Sequence, residues 1–162
     1  MRTVPASCLL LLLLSCSGSG DPALSLKSFF DAAKRGKGER AVSLLSRAAL
    51  DSLEAGIGLE MMRGNPGEAS ALLASYGVAV TPGEIDTIGA SALLVRLVES
   101  PMFLRVMENS SIETGDVTLS GSRAAVQVEL VFLNDTAAGD VQMVLEDGRW
   151  KIGGEGMCFA LR

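Results

Sequence analysis

From Pro22 to about Met107 the apolar residues recur with helical spacing, and from Ser110 onward they alternate. The change of period divides the chain into a helical first part and a strand-rich last part. Asp21-Pro22 reads as an N-cap followed by proline at the first helical position. Leu26, Phe29, Phe30 and Ala33 then share one helix face, and Lys34-Arg35-Gly36 sets two cations against the helix dipole before a glycine stop. A second helix is expected from about Glu39, with Val42, Leu45, Ala49 and Leu53 on one side and Gly56 and Gly58 at its end. Asn65-Pro66-Gly67-Glu68 predicts a third, opened by a capping-box pattern and stopped at Gly77. Thr81-Pro82-Gly83-Glu84 opens a fourth in the same way, with Ile85, Ile88, Ala92 and Val95 in helical phase. Ser100-Pro101 breaks it and restarts a last turn or two through Met107.

In the strand-rich part, Ile112 to Leu119 reads as a strand interrupted at Gly115, and Ser120-Gly121-Ser122 as a turn. Arg123 to Leu133 follows, with Val126, Val128, Leu130 and Phe132 on one face and Ala125, Gln127, Glu129, Val131 and Leu133 on the other. Asn134 to Gly139 is expected to be a loop. Val141, Met143 and Leu145 line the next strand, and Glu146-Asp147-Gly148 is an Asp-Gly hairpin turn. Arg149 to Ile152 returns, and Met157 to Leu161 extends it. Helices followed by a meander predict an α+β fold, with N-terminal helices packed on a curved antiparallel sheet of about four C-terminal strands.

Ahead of the first helix, Arg2 precedes an apolar stretch from Val4 to Leu14 that ends in six consecutive leucines. Ser15-Cys16 follows, then Ser17-Gly18-Ser19-Gly20. Charge, apolar length and small-residue ending are those of a secretory signal peptide, and the stretch is about half of what a membrane-spanning helix needs. Leu13-Leu14-Ser15-Cys16 resembles the lipobox of bacterial lipoproteins. The resemblance implies a lipidated Cys16 as the mature N-terminus, a membrane partner held through that anchor, and a place on the periplasmic face of the cell envelope. A serine after the cysteine implies the outer membrane if the envelope is Gram-negative. The expected division is a signal peptide over 1–15, a lipid-anchored linker over 16–20 and a single α+β domain over 21–162. Four Gly/Ser residues reach only about 11 Å, so the folded part would begin close to the headgroups.

The chain has 14 basic and 19 acidic residues, a net charge of −5. Signal cleavage would remove Arg2 alone from that balance. An acidic chain argues against nucleic-acid binding and against a polybasic lipid-surface patch. There is no histidine, which excludes Ser-His-Asp and Cys-His catalysis and every histidine-containing metal site. The three cysteines are Cys8, Cys16 and Cys158. With Cys8 lost and Cys16 acylated, Cys158 has no partner for a disulfide and reads as a buried small hydrophobe in an apolar segment.

The strands Val126–Phe132 and Val141–Glu146, and the ending Asp147-Gly148-Arg149-Trp150-Lys151-Ile152, resemble the C-terminal half of the nuclear transport factor 2-like superfamily. The opening helix with Phe29-Phe30, and Leu44-Leu45-Ser46 after it, fits the start of such domains. The resemblance spans Leu24 to Ile152. It implies a cone in which a strongly curved sheet wraps around helices, often with a pocket inside. The stretch from Gly56 to Met107 is longer and more helical than the superfamily's pattern, and it could fill that pocket.

Members of that superfamily include isomerases and dehydratases that use pocket carboxylates and tyrosines as acid and base. The acids near the expected strands are Asp116, Glu129, Asp140 and Glu146. Alternation puts Glu129 on the solvent face, and Asp116 after Gly115 belongs to a bulge or turn. Tyr76, the one tyrosine, precedes a helix stop and reads as a core-edge aromatic. The methionines Met61, Met62, Met102, Met107, Met143 and Met157 are scattered and read as core filling rather than a soft-metal groove. Gly56-Ile57-Gly58 and Gly153-Gly154-Glu155-Gly156 lack the setting of a phosphate loop and read as turns. Trp150 should pack inward against the first helix. No catalytic residue, cofactor or metal ligand is expected. The favoured reading is a non-catalytic, lipid-anchored binding module for a small apolar ligand or a partner protein. A pocket enzyme of the isomerase or dehydratase type is the second reading. A structural protein forming a homodimer through the sheet is the third, for which Val131, Leu133 and Val144 would have to form one exposed apolar patch.

Overall fold

The computed structural model describes residues 20–132, 135–154 and 158–161. Among them lie eight helices: α1 (Pro22–Lys34), α2 (Gly38–Val42), α3 (Arg47–Ile57), α4 (Leu59–Gly64), α5 (Pro66–Ser75), α6 (Pro82–Ile85), α7 (Ala90–Val98) and α8 (Pro101–Glu108). Five strands follow: β1 (Ser110–Ser120), β2 (Arg123–Phe132), β3 (Asp135–Glu146), β4 (Arg149–Ile152) and β5 (Cys158–Leu161). The fold is α+β, helices first and an antiparallel sheet afterwards. Strands β1 to β4 pair in chain order, and β5 pairs with β3.

Local chemistry explains the elements that the pattern anticipates. The Asp21 carboxylate accepts from the Ala23 amide at 2.8 Å and caps α1 ahead of Pro22. Ser100 caps α8 through the Phe103 amide, so the restart at Pro101 is a helix of its own. The β1–β2 register shifts between Thr114 and Val117, which makes Gly115-Asp116 a bulge. Asp147 and Gly148 both take positive φ, 52° and 73°, as a two-residue hairpin turn of the Asp-Gly kind requires.

Four expectations need correction. The helix expected from Glu39 to Gly58 is two helices, broken at 43–46. Ser46 there is fully buried and caps α3 by accepting from the Ala49 amide at 3.0 Å. The Ser46 amide donates to the Ile152 carbonyl, and the Ile152 amide donates to the Leu44 carbonyl. The segment therefore lies along β4 as a parallel bridge at Leu45. Gly56 stays inside α3, Gly58 ends it in the left-handed conformation, and α4 follows at once. The fourth helix is also two: Thr81 and Glu84 form the expected capping box, but α6 stops at Ile85 and α7 starts after Gly89. Its buried residues are Ala90, Leu93 and Val98, while Ala92 is exposed. At Asn65 no capping bond forms; its amide instead donates to Glu68 Oε2 at 2.6 Å. Finally, residues 135–139 of the loop expected over Asn134–Gly139 are the first half of β3, with Thr136, Ala137, Ala138 and Gly139 paired to β2, and Asn134 lies outside the described residues.

The core has three clusters. Leu26, Leu45, Ala49, Val126, Val128, Val141, Met143, Trp150 and Ile152 join α1 and α3 to one face of the sheet, with Phe29 and Leu50 packed on them. Leu59, Ala69, Leu73, Val78, Val80, Ile85, Ile88 and Leu93 form a second cluster within the helical part. Ala32, Ala33, Ala41, Val98 and Met107 make a third, between α1, α2, α7 and α8. The long helical segment thus builds a core of its own, and α1 and α3 cover the sheet. Trp150 is 4% exposed and packs in the α1–sheet core, as its alternation predicts. Of the methionines, Met107 and Met143 fill core, but Met61 is 82% and Met102 49% exposed. Their chain neighbours Met62 and Phe103 are half-buried and pack on the second and third clusters.

Candidate functional site

Among the described residues, three clefts lie where the helical layer meets the sheet. The first, about 260 Å³, sits beneath α3 and is lined by Ala48, Ser52, Arg123, Gln142, Met143, Val144, Gly153 and Gly154. Its walls are close because Gly154 abuts the backbone of Ala48, and the Ser52 hydroxyl donates to the Gly154 carbonyl at 3.4 Å.

A second cleft, about 550 Å³, lies between α3, the start of α7 and the β3–β4 turn. It is lined by both signs of charge: Arg47 and Lys151 with Asp51, Glu54, Glu146 and Asp147. Lys151 Nζ is 3.3 Å from Glu146 Oε2 and 3.8 Å from Asp147 Oδ2. Glu146 Oε1 also accepts from the Arg47 amide at 3.3 Å. This carboxylate joins β3 to α3.

The third cleft, about 340 Å³, opens at Gly20 and runs between α1, the α2 segment and β4. Arg40, Arg149 and Lys151 line it, with Ser25, Ser28, Ser43 and Trp150. No carboxylate is among its lining residues. Arg40 comes from α2 and Arg149 from β4, and the packing of α1 against both brings them to one opening. On a chain with a net charge of −5 this is a local excess of positive charge. Composition could not reveal it, because the cations come from distant parts of the sequence.

The acids considered from sequence do not converge. Glu129 is exposed on the sheet face turned away from the helices, as alternation predicts, and lies opposite Glu113 in the register. Asp116 is exposed at the bulge and Asp140 is exposed on β3. Tyr76 is 43% exposed at the C-cap of α5, so it is not the expected core-edge residue. Val131 pairs with Thr136 at one end of β3 and Val144 with Arg123 at the other, so those two do not share a patch. Cys16, Leu133 and Met157 lie outside the described residues, as does the side chain of Cys158.

Among the described residues, the one strongly shifted acid is structural. Glu84 is held at about 2, below its ordinary 4.5, first by the Arg96 guanidinium and then by the amide and hydroxyl of Thr81. Arg96 bonds Glu84 Oε1 and the Ala79 carbonyl, each at 2.9 Å, tying α7 to α6. Among the described residues no helix is long and apolar enough to cross a membrane, and no cluster of metal-ligating side chains is present. No family model, no curated protein and no solved structure matches the chain.

Proposed function

We infer that this is a lipid-anchored, non-catalytic binding domain held at the face of a membrane through Cys16. The observation that carries this reading is the positive cleft at Gly20, four residues beyond the cysteine of Leu13-Leu14-Ser15-Cys16. A tether so short puts that opening about 11 Å from the anchoring point on average. Cell envelope is the matching location. The order of elements, and the packing of α1 on the sheet through Trp150, Leu26 and Phe29, support a nuclear transport factor 2-like arrangement. Within it, Leu26, Leu45, Ala49, Trp150 and Ile152 occupy the helix side of the sheet, where an apolar ligand would enter a cone. That filling favours recognition at the surface clefts, by a polar ligand or a partner protein. The cleft beneath α3, with Ala48, Met143 and Val144, is the remaining place for a small apolar group.

The anchor is tested by Cys16→Ser. Expected is release of the protein from the membrane fraction or a block in its maturation. A variant processed and fractionated like the wild type would overturn the anchor.

A further inference from the structure

We propose that the cleft between α1, residues 40–44 and β4 is a binding site for a phosphate-bearing ligand. The assignment rests on the side chains that meet there. The guanidinium groups of Arg40 and Arg149 make no hydrogen bond or ion pair with the other described residues, and both side chains are exposed at the opening. Lys151 lies between this cleft and the neighbouring one, where Glu146 and Asp147 neutralise it. Two like charges therefore meet at one concave opening with no acid among its lining residues, an arrangement that attracts an anion. Guanidinium groups present planar forks of donors that match phosphate oxygens two at a time.

The hydroxyls divide by the same logic. Ser28 Oγ donates to the Leu24 carbonyl at 2.8 Å and Ser43 Oγ to the Arg40 carbonyl at 2.7 Å, so their protons are committed. Ser25 is half-buried in the wall of the cleft, and its hydroxyl makes no bond to the other described residues. It is the hydroxyl free to donate to a phosphate oxygen. Trp150 and Leu44 complete the wall of the cleft. At about 340 Å³ the space takes a phosphate with a small alcohol attached.

The phosphate has two sources, a lipid headgroup or a soluble phosphate ester. The headgroup source rests on the membrane-anchored reading above; the site itself does not. Trp150 is the chain's one tryptophan and lines the cleft, so its fluorescence reports on occupancy directly. The full-length chain is titrated with inorganic phosphate and with glycerol phosphate, against sodium chloride at matched ionic strength. A saturable change of emission is expected with phosphate and not with chloride. Arg40→Gln with Arg149→Gln should weaken it about tenfold or more, the scale of losing one charge-assisted contact. Both side chains are exposed, and an unchanged thermal midpoint checks that the fold is intact.

In a second arm the chain is reconstituted into vesicles of phosphatidylcholine, with or without phosphatidylglycerol. The leader or anchor holds it to both alike. A change of Trp150 emission specific to phosphatidylglycerol, lost in the double variant, assigns the cleft to headgroups. Equal emission in both vesicles with a retained phosphate response assigns it to soluble esters. If phosphate and phosphatidylglycerol both leave the emission unchanged, or if the double variant keeps the full response, the cleft is not a phosphate site. That failure would leave the Cys16 anchor standing, and a failed anchor would leave the soluble-phosphate response standing.

Discussion

Replacing Trp150 by alanine removes the side chain that joins β4 to α1. It is almost fully buried among Leu26, Val126 and Met143 in one cluster. Truncating a buried tryptophan costs about 3–5 kcal/mol. A domain of this size holds about 5–15 kcal/mol in all. Trp150→Ala should therefore lower the denaturation midpoint strongly, as read by far-UV circular dichroism; an unchanged midpoint would place Trp150 outside the core. A change in the opposite direction is expected at the register pair Glu113–Glu129. The two carboxylates lie directly opposite each other on the exposed face, and like charges in that relation are destabilising. Glu129→Lys turns the pair attractive and should stabilise by about 0.2–1 kcal/mol, the scale of one cross-strand pair. Urea unfolding checks it, and a lower midpoint would show that the exposed acids serve another purpose.

Among the elements, the breaks carry more information than the helices. Spacing continues through 43–46 because Leu45 and Ala49 enter the same core whether the chain between them is helical or extended. The deciding signal is Ser46, whose hydroxyl and amide are both bonded out of sight of solvent. Ser46→Ala should cost about 0.5–2 kcal/mol, the range for a lost N-cap, and a neutral result would show that the break is held by the Leu45 bridge alone. The early half of β3 was illegible for a different reason. Ala137-Ala138-Gly139 has small side chains with little intrinsic strand preference, and it is extended because β2 and β5 pair it on both edges. Strands with large alternating residues, such as β2, were legible throughout. The positive cleft was not, since nothing local to Arg40 or Arg149 announces the other.

The α6–α7 junction gives a pH dependence at the same scale. The folded-state pKa of Glu84 is depressed to about 2, so its contribution is complete above 4.5 and is lost as pH falls toward 2. Thermal midpoints measured across that window should fall in the wild type, and less steeply in Arg96→Leu. Parallel slopes in the two proteins would remove Glu84–Arg96 from the account.

Across the whole molecule, stability should be uneven. The cluster around Leu59, Leu73, Val80 and Ile88 is separate from the one on the sheet. It is built from short helices, whereas β2 and β3 pair over their length. Native-state hydrogen exchange should find amides of α5 opening at a lower free energy than those of β2 and β3, since locally packed units can unfold alone. Identical opening energies would mean that the clusters melt as one.

Strand β3 is paired with β2 along one edge, and its other edge is divided between β4 at 143–146 and β5 at 137–140. Among the described residues Gly153, whose amide donates to the Gln142 carbonyl at 2.7 Å, holds the interval between them. Should β5 detach, the backbone of 137–140 would become a free template for another copy of the chain, guarded by two alanines and a glycine before the first charge at Asp140. Aggregation of this protein should therefore begin where β5 leaves the edge of β3.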